Sequence, residues 1–143
     1  MTDTQFFVPG IPVQQGSKRH VGNGVMVEMA KNLRPWRDSV TYAARAACRQ
    51  DCDLQTGPLT ASLTFWFPRP KSHYRTNGLL KPNAPTYKSS APDVDKLARA
   101  VLDAITGSGL WHDDAQVAGL QLTKRYANEP TGVGVAVTLG RMF

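Results

Sequence analysis

Apolar residues follow two rhythms along this chain. Leu59, Ala61, Leu63, Phe65 and Phe67 alternate with Thr60, Ser62, Thr64 and Trp66, the two-residue period of a strand with one buried face. Val94, Leu97, Ala98, Val101, Leu102 and Ile105 instead recur on one helical face, in a helix that should stop at Gly107 and Gly109. A second helix is predicted by Leu33, Trp36, Val40, Ala43 and Ala47, with Asn32 as its cap. Short strands are expected at Phe6–Val8, closed by Pro9, Gly10 and Pro12, and at Val25–Met29. Val117–Tyr126 and Val133–Leu139 read as a closing hairpin turned by Asn128, Pro130 and Gly132. The order β-β-α-β-α-β-β predicts an α/β (α+β) fold in two layers. A mixed, mainly antiparallel sheet of about five strands carries both helices on one face. The 143 residues suit one domain spanning 1–143, without repeats or low-complexity segments.

Two stretches fall outside these rhythms. Gln14–Gly24 is rich in glycine and carries Lys18, Arg19 and His20, a flexible basic loop suited to phosphate contact. Pro68–Pro92 holds five prolines and the cations Arg69, Lys71, Arg75, Lys81 and Lys88, with His73, Tyr74 and Tyr87 as stacking groups. A loop this long inside a compact domain is usually functional or disordered. Arg37, Arg45 and Arg49 on the polar face of the first helix are further candidates to meet DNA, against the commoner reading of a solvated face.

Charge sharpens this picture. Seventeen Lys and Arg against eleven Asp and Glu give +6, which suggests a polyanionic partner. From Leu54 to Pro92 there is no carboxylate, and then five of the eleven acids fall between Asp93 and Asp114. A nuclease needs both parts, a positive surface to hold phosphates and an acidic cluster to hold a divalent cation. No apolar run approaches the roughly 20 residues that span a bilayer, and no signal peptide is evident, so a cytoplasmic protein is expected. Cys48 and Cys52, four apart at a predicted helix end, are expected to be free thiols, and no Cys/His set completes a zinc site.

The acids have a geometry of their own. Within one helix Asp93 and Asp95 would point about 200° apart, but Pro92 favours a break before Asp93. Asp93 can then be an extended N-cap and Asp95 a first-turn residue, both facing one side. Capping alone is the plainer use of such acids. The turn at Gly107–Gly109 lets the chain run back, so that Asp113 or Asp114 approaches the first pair. Three converging carboxylates repel unless a cation lies between them, and oxygen-only ligands select Mg2+ or Mn2+. Arg99, one turn after Asp95, could stabilise charge on a phosphate or form an intrahelical salt bridge with Asp95 or Asp103.

Pro92-Asp93-Val94-Asp95-Lys96-Leu97, then Asp103-Ala104-Ile105, then Gly109-Leu110-Trp111-His112-Asp113-Asp114-Ala115-Gln116-Val117 resemble, in order and spacing, the motifs of the RusA family of Holliday-junction resolvases from bacteria and phages. Pro70–Tyr74 is similar to phage-borne members. The resemblance implies a Mg2+-dependent homodimer that nicks opposing strands of a four-way DNA junction in recombination and repair, with catalytic and metal-holding acids at Asp93, Asp95 and Asp114. Lys18, Arg19, Arg69, Lys71, Arg75, Lys88 and Lys96 are the expected DNA-binding residues. Many family members have Asn in the place of Lys96 and a functional Lys in the place of Arg99. Arg stays protonated at neutral pH, so a role for Arg99 would be electrostatic, unless Lys96 supplies the amine. Two other functions remain compatible with the residues: a nuclease for other branched or flap DNA, and a non-catalytic basic nucleic-acid-binding module. The apolar face of Leu33–Ala47 and the exposed face of the final hairpin are candidate dimer contacts, and both are more simply core.

Overall fold

Strand β4 (Leu59–Phe67) forms where the strict alternation predicted it, with Leu59, Ala61, Leu63, Phe65 and Phe67 buried and the intervening side chains on the opposite face. The computed structural model describes residues 3–16, 18–20, 26–28, 31–48 and 53–143, and for 18–20 and 26–28 the backbone alone. Around β4 it arranges β1 (Thr4–Pro9), α1 (Leu33–Ala47), α2 (Val94–Ser108), β5 (Val117–Tyr126) and β6 (Gly134–Arg141). The sheet runs β1-β6-β4-β5. β4 pairs parallel with β5 and antiparallel with β6, which pairs antiparallel with β1. The fold is therefore the expected two-layer α+β domain with a mixed, mainly antiparallel sheet.

Two details differ from expectation. The sheet has four strands, and the strand expected at Val25–Met29 is β3 (Met26–Glu28), which pairs in a separate ribbon with β2 (Lys18–His20), itself inside the stretch read as a loop. β5 and β6 do not form a hairpin, because β4 lies between them. The connection starts across the end of β4, where the Ala127 N–H donates to the Phe67 carbonyl at 2.8 Å. Reaching β6 then requires crossing two strand spacings, about 10 Å. Asn128, Pro130 and Gly132 shape this crossing with a 3-10 turn, not a two-residue reversal.

Helix periodicity explains the second layer. Leu33, Trp36, Val40 and Ala44 of α1 and Leu97, Ala98, Val101, Ala104 and Ile105 of α2 share one core with the inner residues of β4 and β6. The apolar face of α1 is thus core. Each of the larger buried side chains contributes about 1.5–3 kcal/mol. Between the helices the Thr41 hydroxyl donates to the Ala104 carbonyl at 3.1 Å. The free edge of β5 is covered by the segment 86–88, through Lys88 N–H to Lys124 O at 3.1 Å and Tyr126 N–H to Thr86 O at 3.0 Å.

Asn32 is the N-cap of α1, but its side chain makes no capping bond. Cys48, the C-cap, is disulfide-bonded, which corrects the free-thiol expectation. Its backbone is extended (φ −89°, ψ 110°), so the chain has left the helix there and helical spacing no longer governs where the next cysteine goes. Cys52 and Arg49 lie outside the described residues. No described helix is long and apolar enough to cross a membrane.

Candidate active site

At the start of α2, Asp93 is the N-cap, with extended backbone at φ −70° and ψ 136°, and its carboxylate makes no capping bond. The plainer use of this acid, capping, is therefore absent. Its Oδ2 instead faces Lys96 Nζ at 3.6 Å. Its backbone N–H donates to Gln14 Oε1 at 3.3 Å, bringing the loop after β1 onto the helix start. Asp95 is exposed in the first turn. From the sheet, Lys124 on β5 reaches the same place: its ammonium donates to the carbonyls of Ser90 and Pro92, each at 2.7 Å. Burial lowers the Lys124 pKa, Lys88 lowers it further, and Asp93 opposes them. Lys88 donates to Ser90 Oγ at 2.9 Å. The residues that present Asp93 are thus ringed by Lys88, Lys96 and Lys124.

The other acids gather near the far end of α2. Gly109 ends the helix in the left-handed conformation (φ 80°), and buried Trp111 fixes the return by donating from Nε1 to Thr106 Oγ1 at 2.7 Å. A 3-10 turn, Asp114–Gln116, follows. Asp113 caps it, accepting from Ala115 N–H at 3.2 Å. Gln116 Oε1 accepts from the N–H groups of His112 and Asp113, and its amide donates to the carbonyls of Leu54 and Gly57 at 3.1 and 3.0 Å. This separates two acids that the sequence could not tell apart. Asp113 is occupied as a cap, and the Ala115 N–H that it accepts holds its pKa low, whereas the pKa of Asp114 is raised, first by burial and then by Asp113 and Asp103.

Asp114 therefore leans on Asp113 and Asp103. Asp103 stands two turns beyond Asp95, about 12 Å along α2. Gln15 Nε2 donates to Asp103 Oδ2, and Gln15 Oε1 is buried without a partner. Among the described residues no three His, Cys, Asp or Glu side chains stand together as an ion-holding group. In chemistry the donors suit a hard cation: carboxylate oxygens, crowded like charges and an orphaned amide oxygen.

Arg99 forms no ion pair with Asp95 or Asp103; both described ion pairs lie elsewhere, at Lys96–Asp93 and Arg141–Asp53. Its guanidinium lies against Gly16, where an added Cβ would come within 2.9 Å of Nη1. Lys71 and Arg75 are exposed on the long loop, and Lys88 is half-buried. Arg69 braces that loop from within, donating to Asn128 Oδ1 at 2.9 Å and to the Pro85 carbonyl at 2.7 Å. Lys18 and Arg19 lie on β2, and their side chains are outside the described set. Sequence reasoning missed Gln14, Gln15 and Lys124. Nothing in their local pattern marks them, since each meets the acids only through tertiary contact.

Residues 9–138 match the family described as endodeoxyribonuclease RusA, and the match takes in every acid named above. The chain belongs to the RusA family. The activity of that family, endonucleolytic cleavage of DNA, accounts for a basic domain built around a stripe of acids. The chain is also similar to a Bacillus subtilis (strain 168) protein described as uncharacterized protein YqaN, at 29% identity over 134 residues, covering 88% of this chain and 89% of that one. Asp93 and Asp95 at the start of α2, Asp103 within it and Asp114 after its end all fall within the matched residues.

Proposed function

We propose that this chain is a metal-dependent endonuclease that resolves four-way DNA junctions by paired, symmetric nicks, acting as a homodimer in recombination and repair. The observation that carries this reading is the RusA family match over residues 9–138, joined to motif acids whose carboxylates are free of capping at Asp93 and crowded at Asp114. Asp93, Asp95 and Asp114 would hold Mg2+ or Mn2+, and the bound ion supplies Lewis-acid stabilisation of the phosphate and a more acidic water. Arg99, permanently charged and unpaired with any described acid, offsets charge on the attacked phosphate. Lys96, 3.6 Å from the Asp93 carboxylate, helps to hold it in place. Lys18, Arg19, Lys71, Arg75 and Lys88 hold the arms of the substrate, and Arg69 orders the loop that carries two of them. Two nicks related by two-fold symmetry call for two sites, which a two-fold dimer supplies.

The test is cleavage of a synthetic four-way junction beside matched duplex and flap substrates, in Mg2+ and in EDTA. Selective, metal-dependent, paired cutting of the junction is expected. Equal cutting of flaps would make the chain a nuclease for branched DNA in general, and no cutting of any substrate by folded protein would leave a binding module.

A further inference from the structure

The groove between the N-terminal half of α1 and the C-terminal half of α2 has a volume of about 450 Å³ and is lined by Lys31, Arg34, Arg37, Asp38 and Asp103. Its electrostatics work against the fold. Arg34 lies in the first turn of α1, which has no acidic residue there, so its charge meets the positive end of the helix dipole. Arg37 is one turn further on, a like charge at the spacing where helical neighbours repel. Asp38 is the single acid of α1 and is four residues from Arg34, yet no ion pair joins either arginine or Lys31 to a described carboxylate. Arg34 and Arg37, paired with no described carboxylate at the positive end of a helix, cost stability, and a polyanion supplies the missing counter-charge.

Resting on the endonuclease reading, we infer that this groove is a binding site for the phosphodiester backbone of one DNA strand, leading it to the acids of α2. The groove opens on Asp103, whose carboxylate adjoins Asp114. A phosphate held by Arg34 and Arg37 therefore has its neighbours along the strand beside the acid stripe. The two signs divide the work, since the cations bind a flanking phosphate and the acids repel any phosphate that arrives without a counter-cation. This surface is distinct from the Pro68–Pro92 loop, whose cations Lys88 and Arg69 lie about the other end of α2 and the β5–β6 connection.

The experiment is fluorescence-anisotropy binding of a synthetic four-way junction in EDTA over a range of NaCl, for wild type, Arg34→Ala/Arg37→Ala, Arg34→Glu and Arg141→Ala. For the double variant the slope of log Kobs against log[salt] should fall by about two, near 0.9 per phosphate contact, with Kd roughly tenfold or more weaker at physiological salt. Arg34→Glu should bind worse still while melting at or above the wild-type temperature, because it reverses the unfavourable helix-end charge. Arg141→Ala, a cation paired with Asp53 outside the groove, should keep the wild-type slope. Wild-type slope and Kd in the double variant would overturn the groove and leave the endonuclease reading standing, as would a loss of binding in Arg34→Glu that only tracks a lower melting temperature. A wild type that binds no junction would overturn both.

Discussion

Asp114 has two carboxylates for neighbours, and its raised pKa follows from burial and from their charge. A carboxyl whose folded pKa lies above its unfolded value favours the folded state while protonated. That contribution is present below the unfolded pKa, near 3.8, and is lost as pH rises through the higher folded value. Metal-free Asp114→Asn should therefore melt above wild type at pH 7, with the difference vanishing below about pH 3; thermal scans at both pH values check this. Lys124 acts at the same scale in the opposite sense, since its two short bonds hold the carbonyls just before Asp93. Lys124→Met should lose about 1–3 kcal/mol in urea unfolding and cut DNA more slowly, with Lys124→Arg recovering part of the loss. Asp93, Asp95 and Asp114 stand out in the sequence by motif and spacing, which makes them the candidates the proposal rests on. Lys124, Gln14 and Gln15 do not stand out, because only the packing of β5 and of the loop after β1 against α2 gives them a role.

At the level of elements, α2 is the ruler of the site. Its start presents Asp93 and Asp95, its length sets how far Asp103 stands from them, and Gly109 decides where the chain turns back. A Cβ at Gly109 would meet nothing within 4 Å, so substitution is penalised only through its left-handed backbone. Gly109→Ala should cost about 1–2 kcal/mol, measured by urea unfolding, and shift the return that carries Asp114. Both helices and β4 were readable because each has a full amphipathic period over 9–15 residues. The β5–β6 hairpin was misread because turn residues announce a change of direction without stating its length. Only the pairing of β4 with both strands reveals that the connection crosses over. Strand β2, and with it the pairing to the expected β3, was hidden for a related reason, as a three-residue strand carries too little periodicity to stand out from a glycine-rich loop.

For the molecule as a whole, the basic surface and the acid stripe make one device: the first holds a polyanion and the second works on it. As proposed, Asp95 and Asp114, which lie on either side of Asp103 along the chain, serve one ion. In Mn2+ titrations by calorimetry, Asp95→Asn and Asp114→Asn should each weaken the same binding event about tenfold or more, while loss of separate events would divide the acids between sites. Sedimentation should give a dimer, and a monomer that still makes paired nicks would contradict the two-site account. The most direct measurement is of a four-way junction with Asp95→Asn and Asp114→Asn in Mg2+, following binding and strand cleavage in the same samples. The account predicts junction binding within a few-fold of wild type and cleavage reduced at least about a thousandfold, the range expected when an essential electrostatic group is lost. Cleavage persisting in either variant at the wild-type rate would contradict it.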